Sequence, residues 1–286
     1  MKFIQNGQFA LYAEKILSPK DYYKDYLDGK ISSAQFREAM YADRNLSDVP
    51  GFNNNYNIDR ISLTPPDDKL PIEFIVKYLV DSKIIPSCGH MYDGFDEYRK
   101  HIRENYDHGE FFTCIFPEDE RLLYAAAKIT QPKKVFVAGA YYGYFAIWAM
   151  KTIHENNGMA VLSDVDGEVC ELAKENFRKL GYENNVEIYC EDASVLLAKR
   201  TEPVDMLVLD ATGRHDDPIP ERRGKRIYGS FLKEAKHLLS KGSVIVIHNM
   251  EPENPDMKML VDELKAINAL GESYDTYNGV GIYIMV

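Results

Sequence analysis

The sequence predicts an α/β protein in which residues 117–286 form a doubly wound, mostly parallel sheet behind a helical N-terminal extension, residues 1–116. Three observations predict it. Short apolar runs at 135–138, 159–162, 186–190, 206–209 and 244–247 alternate with amphipathic helical stretches. The first run passes through a glycine turn straight into an apolar helix. Each of the later runs is followed by polar residues, and open parallel sheets bind ligands at the carboxyl ends of their strands.

In chain order, residues 8–43 are rich in helix formers, with Phe9, Tyr12 and Ile16, then Tyr22, Tyr23, Tyr26, Phe36 and Met40 as apolar contacts. Asn53-Asn54-Asn55 and Pro65-Pro66 break that pattern, and 71–85 and 94–106 read as two further helices. The tyrosines could line an acceptor pocket, but tyrosine at helical spacing is more often half-buried packing.

The turn Gly139-Ala140-Tyr141-Tyr142-Gly143-Tyr144 is the most informative segment. Gly139 lets the backbone turn sharply and present amides to a ligand, and the following helix adds a partial positive charge. A dinucleotide fold would place glycines where Tyr141 and Tyr144 stand, and two rings crowd out a pyrophosphate. Aromatic faces suit a cation instead, such as the sulfonium of S-adenosylmethionine.

The second run ends at Ser163-Asp164-Val165-Asp166, the spacing at which a carboxylate meets a ribose, so Asp164 is the candidate ribose ligand with Asp166 beside it. The next helix places Val169, Leu172, Ala173, Phe177 and Leu180 on one face and stops at Gly181. The third run delivers Glu191-Asp192-Ala193-Ser194, where Asp192 can accept from an adenine amino group. The fourth ends in Asp210 and the fifth in His248-Asn249.

Over residues 117–286 the chain resembles the class I S-adenosylmethionine-dependent O-methyltransferases of the catechol O-methyltransferase type. The loop at 139–144 is similar to that family's G-A-Y-C-G-Y, and Leu238–Ser243 with Asn249 is similar to its L-L-R-K-G-T and D-N pattern. The resemblance implies a Rossmann-like sheet of seven strands whose last, Val280–Val286, is antiparallel. It also implies that the helical extension is a lid for substrate choice or dimerisation. The family's Mg²⁺ aspartate and Asp-Asn pair fall on Asp210, His248 and Asn249. Histidine in place of aspartate disfavours Mg²⁺, so no metal is expected; if one binds, these three residues hold it, and Mn²⁺, Fe²⁺ or Zn²⁺ suits them better. The family's glutamate before the loop is Val137 here, and its catalytic lysine position is Gly213, with Arg214 or His215 nearby.

Asp210, His248 and Asn249 are therefore the candidate catalytic residues. His248 reads equally as a structural imidazole, a ligand or a base. His90, His101 and His108 share no helix face and read as surface positions. The run Arg222-Arg223-Gly224-Lys225-Arg226 lies in a long loop that could be a lid carrying anion-binding arginines.

A net charge of −11 argues against nucleic acid as a partner. No apolar run approaches a membrane span, and the N-terminus MKFIQNGQFALYAEK lacks a signal-peptide core. Cys88, Cys114, Cys170 and Cys190 form no C-x-x-C pair and read as reduced thiols of a cytoplasmic protein, with Cys170 and Cys190 in the sheet core. The leading function is methyl transfer to an oxygen or nitrogen of a small molecule, in natural-product biosynthesis for example. The alternatives are an intramolecular cyclase that releases methylthioadenosine, as in azetidine-carboxylate formation, and a non-catalytic nucleotide-binding protein.

Overall fold

The structure is a computed structural model that describes residues 8–87 and 89–286. Met1–Gly7, part of the stretch read for a signal core, and Cys88 lie outside the described residues. Seven helices come first: α1 (Phe9–Leu17), α2 (Asp21–Leu27), α3 (Ser33–Ala42), α4 (Asn55–Ile61), α5 (Leu70–Asp81), α6 (Phe95–Asn105) and α7 (Pro117–Thr130). The alternating half follows as β1 (Lys134–Ala138), α8 (Ile147–Glu155), β2 (Met159–Asp164), α9 (Gly167–Lys179), β3 (Val186–Cys190) and α10 (Ala193–Lys199). It continues with β4 (Met206–Leu209), α11 (Ile227–Ala235), β5 (Val244–His248), α12 (Pro255–Ala266), β6 (Ala269–Tyr274) and β7 (Val280–Met285). Among the described residues no helix is long and apolar enough to cross a membrane.

The strands form one seven-stranded sheet in the order β3-β2-β1-β4-β5-β7-β6. The first five are parallel, and β7 runs antiparallel between β5 and β6, as the resemblance implies. The order reverses between β1 and β4, and the carboxyl ends of the strands on either side splay open there. Side chains alternate between two cores. Val135, Val137, Val208, Val246 and Trp148 pack on the face of α5–α9, and Phe136, Leu207, Leu209, Ile245 and Phe231 on the face of α10–α12.

A third apolar cluster joins α1–α4 through Phe9, Phe36, Met40, Phe52 and Ile58 to Phe116 and Tyr277, at the ends of the sheet domain. The N-terminal tyrosines belong mostly to this packing: Tyr26 stacks on Phe36 at 4.4 Å. Asn54 does not simply break a helix. Its side chain accepts a hydrogen bond from the Tyr56 amide and starts α4. Arg60, on α4, donates to the Tyr277 carbonyl at 2.8 Å and pairs with Asp275 at 2.8 Å, fixing these helices to the β6–β7 turn.

The turn after β1 is tighter than expected. Gly139 sits at φ +84°, and a Cβ there would stand 2.3 Å from the Asp210 carbonyl oxygen. Only glycine lets the β1 and β4 ends approach this closely. Helix α8 begins at Ile147, later than the apolar run implied, because residues 140–146 form consecutive turns.

Candidate active site

At the reversal point a cleft of about 530 Å³ opens, lined by Gly139, Tyr141, Asp164, Asp166, Asp192, Ala193, Asp210, His248 and Asn249 among others. Each arrives from a strand end, so the sheet itself sets their separation. Asp164 accepts the Tyr141 amide at 2.7 Å and the Asp166 amide at 3.1 Å, one on each oxygen. Tyr141 holds this amide in place at φ +48°. Asp166 caps α9 by accepting the Glu168 amide at 2.9 Å, and Asp192 caps α10 by accepting the Ser194 amide at 2.8 Å. Arg222 binds the other Asp192 oxygen.

Four residues of the glycine loop do not face the cleft: Ala140, Tyr142, Gly143 and Tyr144. Tyr142 and Tyr144 are fully buried among Tyr106, His108, Phe111 and Trp148, because their rings complete an apolar layer under the loop. Tyr144 donates to Glu120 at 2.8 Å, and Glu120 in turn takes Arg99 and Arg103. Tyr141 alone of the three presents its ring to the opening. His108 is not a surface residue either; its Nδ1 lies 3.0 Å from the Tyr142 hydroxyl, and burial lowers its pKa.

The other end of the cleft is built around one charge. His248 is buried, with Nδ1 2.7 Å from Asp210 Oδ1 and Nε2 in a 3.3 Å ion-pair contact with Asp119 Oδ2. Burial works against the charged ring, but the two carboxylates outweigh it and raise its pKa to about 10. An imidazole that keeps its proton that far up has no lone pair to act as a base near neutrality. Asp119 Oδ2 also accepts the Phe116 amide at 2.8 Å and the Asn278 amide group at 2.6 Å, which locks the first turn of α7 to the sheet.

This arrangement does not fit a divalent ion on Asp210, His248 and Asn249. The imidazole Nδ1 is hydrogen-bonded to Asp210, Nε2 faces the Asp119 carboxylate at 3.3 Å, and Asn249 Oδ1 accepts 2.7 Å from the Lys225 ammonium. Lys225 was read only as part of a basic loop. The backbone pairing of Gly213 with Gly224 folds that loop back on itself and buries Lys225 behind the cleft wall, where it also donates to the Ala211 carbonyl at 2.7 Å and the Tyr228 hydroxyl at 3.0 Å. Burial lowers its pKa to about 8, against the pull of Asp210 and Glu251. Arg214 and His215 are exposed instead, and Arg214 is occupied by Asp216 at 2.9 Å. Asp119 was missed because Glu118-Asp119-Glu120 behind Pro117 looks like an ordinary acidic first turn; nothing in the local pattern says that all three are buried.

Residues 136–250 match a family model described as a methyltransferase domain. No curated protein matches the chain. Among solved structures, the S-adenosylhomocysteine-bound methyltransferase PaMTH1 of Podospora anserina superposes with a TM-score of 0.50 at 15% identity, over 68% of this chain and 88% of that one. The O-methyltransferase TomG of Streptomyces achromogenes, which is involved in tomaymycin synthesis, gives 0.47 at 19% identity over 75% and 96%. A Bacillus cereus O-methyltransferase gives 0.45 at 16% over 73% and 96%. The likeness to these structures is one of fold, the Rossmann-like α/β architecture.

Beside Asp119, Glu118 is wholly buried, and burial followed by the Asp119 charge raises its pKa well above 4.5. A carboxyl raised in the fold contributes stability below its unfolded pKa and loses it as pH rises, so folding above pH 4.5 must take up a proton. Glu118→Gln removes that requirement. Urea unfolding should find the variant more stable by about 1 kcal/mol or more at pH 7 and equal to the parent below pH 4. A variant less stable at pH 7 would contradict a neutral Glu118.

Proposed function

We propose that this domain transfers the methyl group of S-adenosylmethionine to an oxygen or nitrogen of a small molecule, without a divalent metal. The observation that carries this reading is the row of carboxylates at the ends of three parallel strands: Asp164 after β2, Asp192 after β3 and Asp210 after β4, all on one cleft. The donor set fits the cofactor. Each Asp164 oxygen already takes one backbone amide, which leaves lone pairs for two ribose hydroxyls. Asp166 flanks the same position. Asp192 and Ala193 border the pocket where an adenine amino group would be accepted. The similarly folded PaMTH1 structure holds S-adenosylhomocysteine, the demethylated product, which supports the assignment.

When bound, the cofactor supplies an electrophilic methyl group on sulfur. The chain's own residues bind, orient and move protons. Gly139, Tyr141 and Phe112–Ile115 all line the cleft. The His248 imidazolium takes the place a metal would have, as a fixed cation that sits between Asp119 and Asp210 and holds Asp210 at the cleft. Asn249, turned by its left-handed φ of +58°, holds Lys225 at the same end. With its pKa near 8, Lys225, which lies behind the cleft-lining Ala211 and Asn249, is suited to take up the acceptor's proton through that wall as the methyl group is transferred. An acceptor with an ionisable hydroxyl or amine matches this end of the cleft, and the transfer relies mainly on proximity.

The first test is calorimetric binding of S-adenosylhomocysteine, expected at micromolar affinity. Losing charge-assisted bonds to two hydroxyls is worth on the order of 1.5–3 kcal/mol, so Asp164→Ala should weaken it at least tenfold. Unchanged affinity in that variant would move the ribose contact away from Asp164. Incubation with S-adenosylmethionine and phenolic or amine acceptors should yield S-adenosylhomocysteine by mass spectrometry. Methylthioadenosine formed from S-adenosylmethionine alone would instead establish intramolecular cyclisation.

Turnover should survive exhaustive chelation and rise as pH increases through about 8, where Lys225 loses its proton. Lys225→Met should lower kcat by about a hundredfold or more and abolish that rise. Activity lost on chelation and restored by Mn²⁺ or Fe²⁺ would overturn the metal-free mechanism.

A further inference from the structure

Two thiols meet at the cleft's ribose end, and neither has a place in the chemistry above. Cys190 is the last residue of β3, in parallel register with Asp164 at the end of β2. It was expected in the sheet core, but β3 is the edge strand and Cys190 is exposed. Cys170, in the first turns of α9, is buried. Cys170 Sγ lies 3.8 Å from the carbonyl oxygen of Tyr189, the residue before Cys190. Both also reach the segment that carries the ribose carboxylate: Cys170 Sγ lies 3.8 Å from the Asp164 carbonyl oxygen and Cys190 Sγ 3.7 Å from that of Val165.

We propose that Cys170 and Cys190 form an oxidative modification site, closing to a disulfide that reshapes the Asp164–Asp166 segment and weakens cofactor binding. The effect on the cofactor rests on the function proposed above; the linkage itself does not. The oxidant is a small disulfide, RSSR. The exposed Cys190 thiolate attacks one of its sulfurs, breaking the S–S bond and releasing RS⁻, so that Cys190 carries a mixed disulfide. Cys170 then gives up its proton, attacks the Cys190 sulfur and expels the second RS⁻. The two RS⁻ groups take the two thiol protons, so the protein dithiol loses two electrons and two protons and RSSR becomes two RSH. Burial pushes the Cys170 thiol up to about 12, which makes it the resolving rather than the attacking partner.

Bond formation requires the sulfurs to close to about 2.05 Å. That movement draws the first turns of α9 toward the end of β3 and removes two S–H groups from the carbonyls of Asp164 and Val165. Asp166, which caps α9, and Asp164, held by the Asp166 amide, lie within the strained segment.

The whole chain is treated with oxidised glutathione, alkylated and digested, and the peptides are mapped by mass spectrometry. A Cys170–Cys190 linkage is expected, with affinity for S-adenosylhomocysteine lowered at least fivefold and restored by dithiothreitol. Cys190→Ser should keep its affinity under the same oxidant. A glutathione adduct that stays on Cys190 without linkage would overturn the site, and linkage with unchanged affinity would overturn its effect on the cofactor. Reduced protein that binds no S-adenosylhomocysteine would sink the methyltransferase reading, while peptide mapping would still decide for or against the linkage.

Discussion

One imidazolium holds the cleft together. His248 comes from β5, Asp210 from β4 and Asp119 from the first turn of α7, so a single ring between two carboxylates ties three elements together. Removing one partner of such a buried group typically costs about 3–5 kcal/mol, because the charge left behind has no counterpart. Asn278 and the Phe116 amide complete the Asp119 side, so the same knot reaches the β6–β7 turn. The helical extension is fastened to that turn through Arg60, and Tyr277 Oη donates to Asn57 at 2.9 Å. The order of contacts therefore runs from one charge, through α7 and the last hairpin, out to α4.

The chemistry of the cleft follows from where charge is already satisfied. At one end the carboxylates of Asp164 and Asp166 are stabilised by backbone amides, a neutral arrangement that keeps them free to accept. At the other end, charges alternate from Asp119 through His248 to Asp210, with Lys225 beside Asn249. A divalent metal would have to displace two ring protons and an ammonium there. The histidine at the end of β5 supplies this end of the cleft with a cation encoded in the chain.

Much of the sheet was legible because its signals are local. Apolar runs of four or five residues, a glycine turn after the first and acids at the ends of the next three need no knowledge of the rest of the chain, and all five parallel strands fall where those signals stand. The departures share a different cause. Tyr142 and Tyr144 look like ligand-facing rings in sequence, but the residues that bury them, Tyr106, His108 and Phe111, precede the loop by some thirty residues. Asp119 and Lys225 acquire their roles only through partners far along the chain, and no spacing rule brings them to His248 and Asn249. Cys190 was misread because periodicity does not tell an edge strand from a central one.

The charge state of His248 tests this account most directly. Nitrogen-15 NMR of the imidazole, followed from pH 5.5 to 9, should find both ring nitrogens protonated throughout, with no titration step near 6.5. A single-proton ring that titrates between pH 6 and 7.5 would mean that the carboxylates do not hold it as a cation. The cleft would then lack its built-in charge, and a metal or a histidine base would have to take its place.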